Sequence, residues 1–309
     1  MIKKILQFLS KWAVIFFLAS VLAFAMVRLM PVSPVEQWLS TFNLPHTDEN
    51  IAYVTKKMNL DRPLYLQYLT WIGRFICGDW GCSLKSHLDI RETFFQKLPY
   101  SVRIGIFGIL ISSAASFFIG YRAALHEGGV CDRLSAVLSI LTQSLPSFIL
   151  SIVIIYFFSV KMKLVKFFTG NGAYALVTAI LITALYNLGS LSRVVKKAFR
   201  EEMGKSYIRF SVSRGFAREN VLLHHASGPV LCRLIATVIA NFANVFGGST
   251  VLEFAFGIPG ISYFLGTSMK NSDYNVLQTY ILVVVIWMFF VHLALNLVLD
   301  LIDVRRRGA

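Results

Sequence analysis

Side chains with chemistry to offer are few in this chain, and they stand out against their surroundings. Gln143 and Ser144 come just before Pro146; Asn241 and Asn244 are three residues apart, preceded by Thr237; His292 and Asn296 are four apart. At helical spacing each of the last two pairs shares one face, and the stretches around them are otherwise almost free of charge. A polar group there either lines a wet path or bonds a neighbouring helix, because an unpaired polar group in hydrocarbon is costly. Both readings stand for these residues, while a single histidine such as His292 suits a hydrogen bond better than metal ligation. No G-x-x-x-x-G-K-S/T, H-E-x-x-H or G-x-S-x-G pattern occurs, nor the run of intramembrane carboxylates that a proton-driven pump needs. The chain is expected not to be an enzyme, and it carries no energy source of its own.

The elements that must position these residues are membrane helices. Of 309 residues 56% are hydrophobic and only 15% charged, whereas a soluble domain carries about a quarter charged residues. The expectation is an all-α polytopic membrane protein, since helices satisfy their own backbone in lipid and the alternation of a barrel is missing. About six spans can be drawn, over 12–29, 104–121, 134–158, 173–191, 230–248 and 276–299, each near the roughly 20 residues that cross hydrocarbon. The first follows Lys3, Lys4 and Lys11, but Arg28 and Pro31 come next rather than a small-residue cleavage site, so it reads as a retained anchor. The formal charge of +14 sits in short clusters beside apolar runs, a topology signal rather than a nucleic-acid surface.

Those clusters orient the chain. Arg193, Lys196, Lys197, Arg200, Lys205, Arg209, Arg214 and Arg218 lie between spans four and five, and Arg305, Arg306 and Arg307 close the chain. The positive-inside bias puts both termini and this loop in the cytoplasm, although Lys161, Lys163 and Lys166 then fall outside. Residues 1–30 form the anchor, 31–100 an external cap with helical stretches near 49–58 and 65–76, and 101–309 the membrane domain. Cys77 and Cys82 share the cap, so a disulfide is geometrically open to them there, whereas Cys131 and Cys232 are placed inside and reduced. Glu253 is expected to anchor the outer end of span five before the turn at Gly257 to Gly260, followed by a short outer helix over 259–270.

The segment 193–229, RVVKKAFREEMGKSYIRFSVSRGFARENVLLHHASGP, is the most informative. Its pattern predicts a short helix broken by a left-handed turn at Gly215, then helix again from Ala217 to His225 with Val221, Leu222 and Leu223 available for packing. On residues alone it is either a docking element or a solvated loop that only fixes topology.

Arg193, Lys196, Glu201, Gly204, Tyr207, Arg209, Ser211, Ser213, Arg214, Gly215, His225 and Ala226 resemble, in order, the EAA loop of binding-protein-dependent ABC importer permeases. The form is that of the dipeptide, oligopeptide and nickel branch. Leu60-Asp61-Arg62-Pro63-Leu64 with Gln67-Tyr68 resembles the branch element LDxPLxxQY, and Gly78-Asp79-Trp80-Gly81 with Ser83 resembles GDFGxS. Ser144 to Phe148 is similar to its S-x-P-x-F kink, and Gly247 to Glu253, Phe256 to Gly260, Asp273-Tyr274 with Val276 and Gln278, and Asn296-Leu297 with Asp300 to its C-terminal third. Two departures occur: Ser227, Gly228 and Pro229 follow His225-Ala226 where the branch has Arg-Asn, with Arg233 at its usual proline position, and Asp303-Val304-Arg305 arrives early.

The resemblance implies a multi-pass inner-membrane permease subunit of an ATP-driven importer. Glu201, Gly204, Tyr207, Arg209, Ser211, Ser213, Arg214 and Gly215 would couple it to an ATPase. Its implied partners are a homologous second permease, two ATP-binding cassette subunits that hold ATP and Mg, an extracytoplasmic substrate-binding protein and membrane lipid. Gln143, Ser144, Asn241, Asn244, His292 and Asn296 are the pathway candidates, with no metal ligand and no cofactor in the chain. The stretch Asn43 to Glu49 is similar to the NLPxTxE spacing of nickel-import permeases, so nickel or a metal chelate is the expected cargo, with peptides as the alternative. A channel or scaffold subunit lacking an ATPase is the reading from another class.

Overall fold

The computed structural model describes residues 2–29, 33–168, 172–242 and 250–302. Among them five helices are long and apolar enough to cross a membrane, and a sixth crossing exists if a bent pair counts as one span. The residues group into two compact units, Met1–Pro99 with Ile261–Phe290, and Tyr100–Gly260 with Val291–Ala309.

The first unit opens with α1 (Ile2–Arg28), whose outward face carries Leu9, Val14, Phe17, Leu18 and Leu22, all exposed. Three short helices follow, α2 (Pro34–Thr41), α3 (Asp48–Lys57) and α4 (Leu64–Ile76). The sequence reading missed α2 although its signal is present. Ser33 and Glu36 form a reciprocal capping box with Pro34 at the first helical position. Thr47 caps α3 by a single bond, its hydroxyl accepting from Asn50 N, and Val35, Leu39 and Val54 pack between the two helices. The α4 helix lies on α1 through Ser20 and Tyr68, whose hydroxyls are 2.7 Å apart, and through Gln67, which accepts from the Arg28 guanidinium. Gln67 also donates to the carbonyls of Leu60 and Arg62, so one amide joins α1, the turn before α4 and α4 itself.

Beyond α4 the loop carrying Trp80 to Leu84 is fastened by the start of the last helix. The buried Asp273 carboxylate accepts from Ser83 Oγ at 2.5 Å and from Leu84 N at 3.1 Å, and Asn275 donates to the Cys82 carbonyl. The disulfide left open above is not formed: Cys77 and Cys82 are both free and exposed, while Cys131 and Cys232 are free and half-buried. A short helix does follow Gly260 (Ile261–Lys270).

The second unit is built on close helix contacts through small residues. The helix α5 (Ile90–Leu125) has 36 residues, roughly 54 Å at the helical rise, and begins inside the segment expected to be cap. It meets α8 (Ala173–Met203) at Gly108 and Gly120, where an added Cβ would fall 2.7 Å from Thr183 and 2.6 Å from Val195. The helix α6 (Val130–Ser144) meets α8 at Gly189, whose Cβ would fall 2.6 Å from the Ser139 backbone, and the Ser135 and Ser192 hydroxyls bond each other at 2.7 Å beside it. Without water to squeeze out, packing of this closeness is what holds helices together in lipid.

The expected third span, 134–158, is not one rod. It is α6 and α7 (Ser147–Ile154, continuing as a π turn to Lys161), bent by 97°. Pro146 drives Leu145 into an extended conformation and removes a donor from the ladder, and Tyr186 of α8 donates to the Leu145 carbonyl at 2.5 Å. The fifth span starts early: α10 (Arg218–Val221), a π turn (Leu222–Ala226) and α11 (Ser227–Phe242) form one 25-residue helix. The π turn precedes Pro229, whose ring would collide with the His225 carbonyl in a regular helix. Beyond the undescribed residues 243–249, α12 (Thr250–Phe256) carries Glu253, fully buried and accepting from Ser101 Oγ at 2.6 Å. Gly260 lies against that carboxylate; a Cβ there would come within 2.4 Å of it.

Gly189→Leu is expected to separate α6 from α8 and to lower the thermal midpoint of the detergent-solubilised chain, by overpacking worth about 1–3 kcal/mol. Gly228→Ala, which meets no heavy atom within 4 Å, leaves the midpoint unchanged or raises it. Equal losses in both variants contradict the close-contact reading.

Candidate functional site

The stripe Leu191, Val195, Ala198 and Phe199 of α8 is buried and continues to residue 202 at helical spacing. A carboxylate therefore arrives on the packed face. Glu202 is 4% exposed and accepts from Lys205 Nζ and from Tyr207 Oη, each at 2.5 Å. Gly204 ends α8, Lys205 is extended, and the chain re-enters helix as α9 (Ser206–Ser213). Of the apolar side chains in α9 only Ile208 is buried, inside a cluster with Phe199, Val195, Leu222, Ala226 and Val230. Glu202 and Ile208 thus fasten the short helix at two points, one polar and one apolar.

Glu201 is the acid expected from the sequence pattern, but the buried stripe of α8 points to its neighbour Glu202. Glu201 is on the outer side, paired with Arg233 of α11 and with Lys197 one turn back. The departure at position 233 therefore has a structural role: where the resembled branch has proline, an arginine ties α11 to the end of α8. Gly215 follows α9 with φ +89°, the left-handed conformation expected of it. Among the described residues, its chain neighbours aside, no heavy atom lies within 4 Å of where its Cβ would be, so the glycine answers to backbone conformation and not to crowding. Val221 and Leu222 are packed as expected, but Leu223 is exposed.

The outward side of this segment is aromatic and basic. Phe210 and Phe216 are exposed by 62% and 59%, Arg209 is exposed, and the Arg214 guanidinium lies 5.6 Å from the Phe210 ring centroid. The Ser211 and Ser213 hydroxyls donate back to the Tyr207 and Phe210 carbonyls of their own helix. The α5–α6 turn and the first turn of α6 brace α8 from another side, Glu127 pairing with Arg200 and Asp132 with Lys196. The α9 helix is therefore held on one face by Glu202 and Ile208, with an exposed aromatic–basic face on the other.

The pathway candidates are distributed over three helices. Gln143 and Ser144 are exposed at the end of α6, and Gln143 donates to Ser139 Oγ of its own helix at 2.8 Å. Asn241 is half-buried near the end of α11, Asn244 lies outside the described residues, and His292 and Asn296 are exposed on the last helix (Tyr274–Ile302). Among the described residues no group of three or more His, Cys, Asp or Glu side chains is arranged to hold a metal ion.

Residues 116–308, more than half of the chain and including all of this site, match the family described as binding-protein-dependent transport system inner membrane component. The chain belongs to that family. Similar proteins extend over nearly its whole length. A probable peptide ABC transporter permease protein, y4tP of Sinorhizobium fredii, is 24% identical over 94% of both chains. The dipeptide transport system permease protein DppB of Bacillus subtilis is 26% identical over 93% of both. A nickel import system permease protein, NikB of Staphylococcus aureus, is 26% identical over 99% of this chain and 92% of its own length. Membership and the apolar helices together make this a multi-pass membrane component of a transport system.

In this family member the Tyr207 phenol reports on the Glu202 clasp. Burial of the hydroxyl, then its bond to the Glu202 carboxylate, push its pKa up from 10.0 to about 12. A folded-state pKa above the unfolded one means the stabilisation is complete below pH 10 and lost as pH rises towards about 12. The ultraviolet difference titration of wild type minus Tyr207→Phe is expected to show a phenol ionising near the upper end of that window. Ionisation near the ordinary tyrosine value breaks the clasp assignment. The same substitution costs about 1 kcal/mol, because Glu202 keeps Lys205 but loses one donor.

Proposed function

We propose that this chain is the permease subunit of an ATP-driven, binding-protein-dependent importer in the inner membrane, with both termini in the cytoplasm. Residues 1–30 act as its anchor, 31–100 as an external cap whose last ten residues are the first turns of α5, and 101–309 as the permease domain with its coupling loop at 193–229. The observation that carries this reading is α9: a short helix between two membrane helices, held by Glu202 and Ile208, with Arg209, Phe210, Arg214 and Phe216 turned outward. Two ATP-binding cassette subunits, which hold ATP and Mg, engage that face, and a homologous second permease completes the path. An extracytoplasmic binding protein delivers cargo from the other side.

Coupling follows from how α9 is held. Burying an isoleucine is worth about 1.5–3 kcal/mol, and Ile208 sits among side chains of α8, the π turn and α11. A displacement of α9 by closing ATPase subunits is therefore shared by the helices on either side of it rather than absorbed in a loose loop. Alternation between outward and inward access needs a two-state element of this kind. Nickel or a metal chelate is the proposed cargo, supported by the similarity of the stretch Asn43 to Glu49 and by the NikB relative. Peptides are the second reading, favoured by the DppB and y4tP relatives.

Arg214→Glu with Gly215→Val reverses the exposed charge and places a β-branched residue at φ +89°. In the complex reconstituted with its partners, this double variant is expected to insert normally and to lose substrate-stimulated ATP hydrolysis. Normal stimulation defeats the coupling assignment. Purification of the chain without any ATPase favours the channel or scaffold reading. Growth of a deletion strain on limiting nickel against limiting peptide, with the cognate binding protein present, separates the two cargoes.

A further inference from the structure

The first unit contains a cavity of ≈ 350 Å³ beside the end of α1, within the size range of small-molecule sites. The motif blocks at 60–68 and 78–83 build much of its wall, and nothing in the coupling role of the second unit uses it. Four cations line it, Arg28, Lys57, Arg62 and Arg74, against one carboxylate, Asp79, which already accepts from Gly81 N at 3.0 Å. Arg28 is committed to the Phe24 carbonyl and to Gln67. Among the described residues no ion pair engages Lys57, Arg62 or Arg74. Gln278 at the cavity is only 6% exposed and makes no hydrogen bond among the described residues. Its amide atoms are not sealed from solvent, so the cavity wall offers them to a ligand.

We propose that this cavity binds a phosphate ester, with Arg62, Arg74 and Lys57 around the phosphate and the Gln278 amide donating to one of its oxygens. Guanidinium groups bond phosphate oxygens two at a time, and a tetrahedral anion lets several cations converge where a planar carboxylate does not. The location favours an acidic phospholipid headgroup as the source. Phe24, Val27 and Arg28, the last turn of the apolar stretch Leu6–Arg28, form one side of the cavity, so it opens where hydrocarbon gives way to headgroups. Trp71 and Trp80, also on the wall, are the ring type enriched at that depth.

The test uses the full chain in detergent, exchanged against mixed vesicles of phosphatidylglycerol and phosphatidylcholine, with retained lipid counted by native mass spectrometry. Phosphatidylglycerol is expected to be retained selectively, and Arg62→Glu with Arg74→Glu to reduce that retention at least about tenfold, the loss of one charge-assisted bond or more. Lys56→Glu with Lys85→Glu makes the same change in net charge at exposed positions outside the cavity and leaves retention intact. Gln278→Leu removes only the amide that lines the cavity; it preserves the thermal midpoint while weakening retention. Resistance of the bound lipid to millimolar glycerol 1-phosphate identifies the headgroup as source. Saturable binding of glycerol 1-phosphate without lipid selectivity supports the same site with a soluble ester. Equal retention of both lipids without glycerol 1-phosphate binding, or equal losses in the two charge-reversal pairs, overturns the proposal.

Discussion

A backbone amide in hydrocarbon has no water to bond, so every peptide group of a spanning segment must be satisfied within the protein. That constraint makes the long elements helical and decides what happens where a helix breaks. At Pro146 the α6 ladder stops, and the stranded Leu145 carbonyl is taken up by the Tyr186 hydroxyl. At Pro229 the missing donor is accommodated by a π turn instead, and the helix continues. Two prolines in apolar surroundings thus give a 97° bend in one case and an unbroken 25-residue helix in the other. What differs is whether the preceding turn widened or opened.

Small residues do the complementary work between helices. Gly108, Gly120 and Gly189 allow α5 and α6 to approach α8 at backbone distance, and the serine pair at 135 and 192 adds a bond at the closest point. The α8 helix is thereby held along most of its length, and it continues past the apolar stretch to Met203. The clasp at Glu202 sits on the end of that braced rod. The α9 helix is thus joined to the end of a braced helix, and the widened turn at 222–226 lies next to it in the same apolar cluster.

Much of this was legible in the residues. Apolar runs gave the long helices, Gly215 gave the turn after α9, and the glycines before Ile261 gave the short helix beyond them. Other features depend on contacts that no local pattern carries. Pro146 reads as a kink, but the partner that takes up the Leu145 carbonyl at that kink, Tyr186, is 41 residues away in the chain. Residues 90–99 read as cap because their charges interrupt the apolar run, yet they are the first turns of α5. Between the adjacent acids at 201 and 202, the phase of the buried stripe decides which is buried, provided α8 runs that far. An α8 ending at Leu191 would have left both exposed.

The four thiols carry a practical consequence. Cys77 and Cys82 are free and exposed, and Cys131 and Cys232 are free but half-buried in the other unit. A membrane-impermeant maleimide added to intact cells therefore discriminates between orientations of the natural chain. Its own cysteines serve as built-in reporters of sidedness, with no need to remove them or to introduce others.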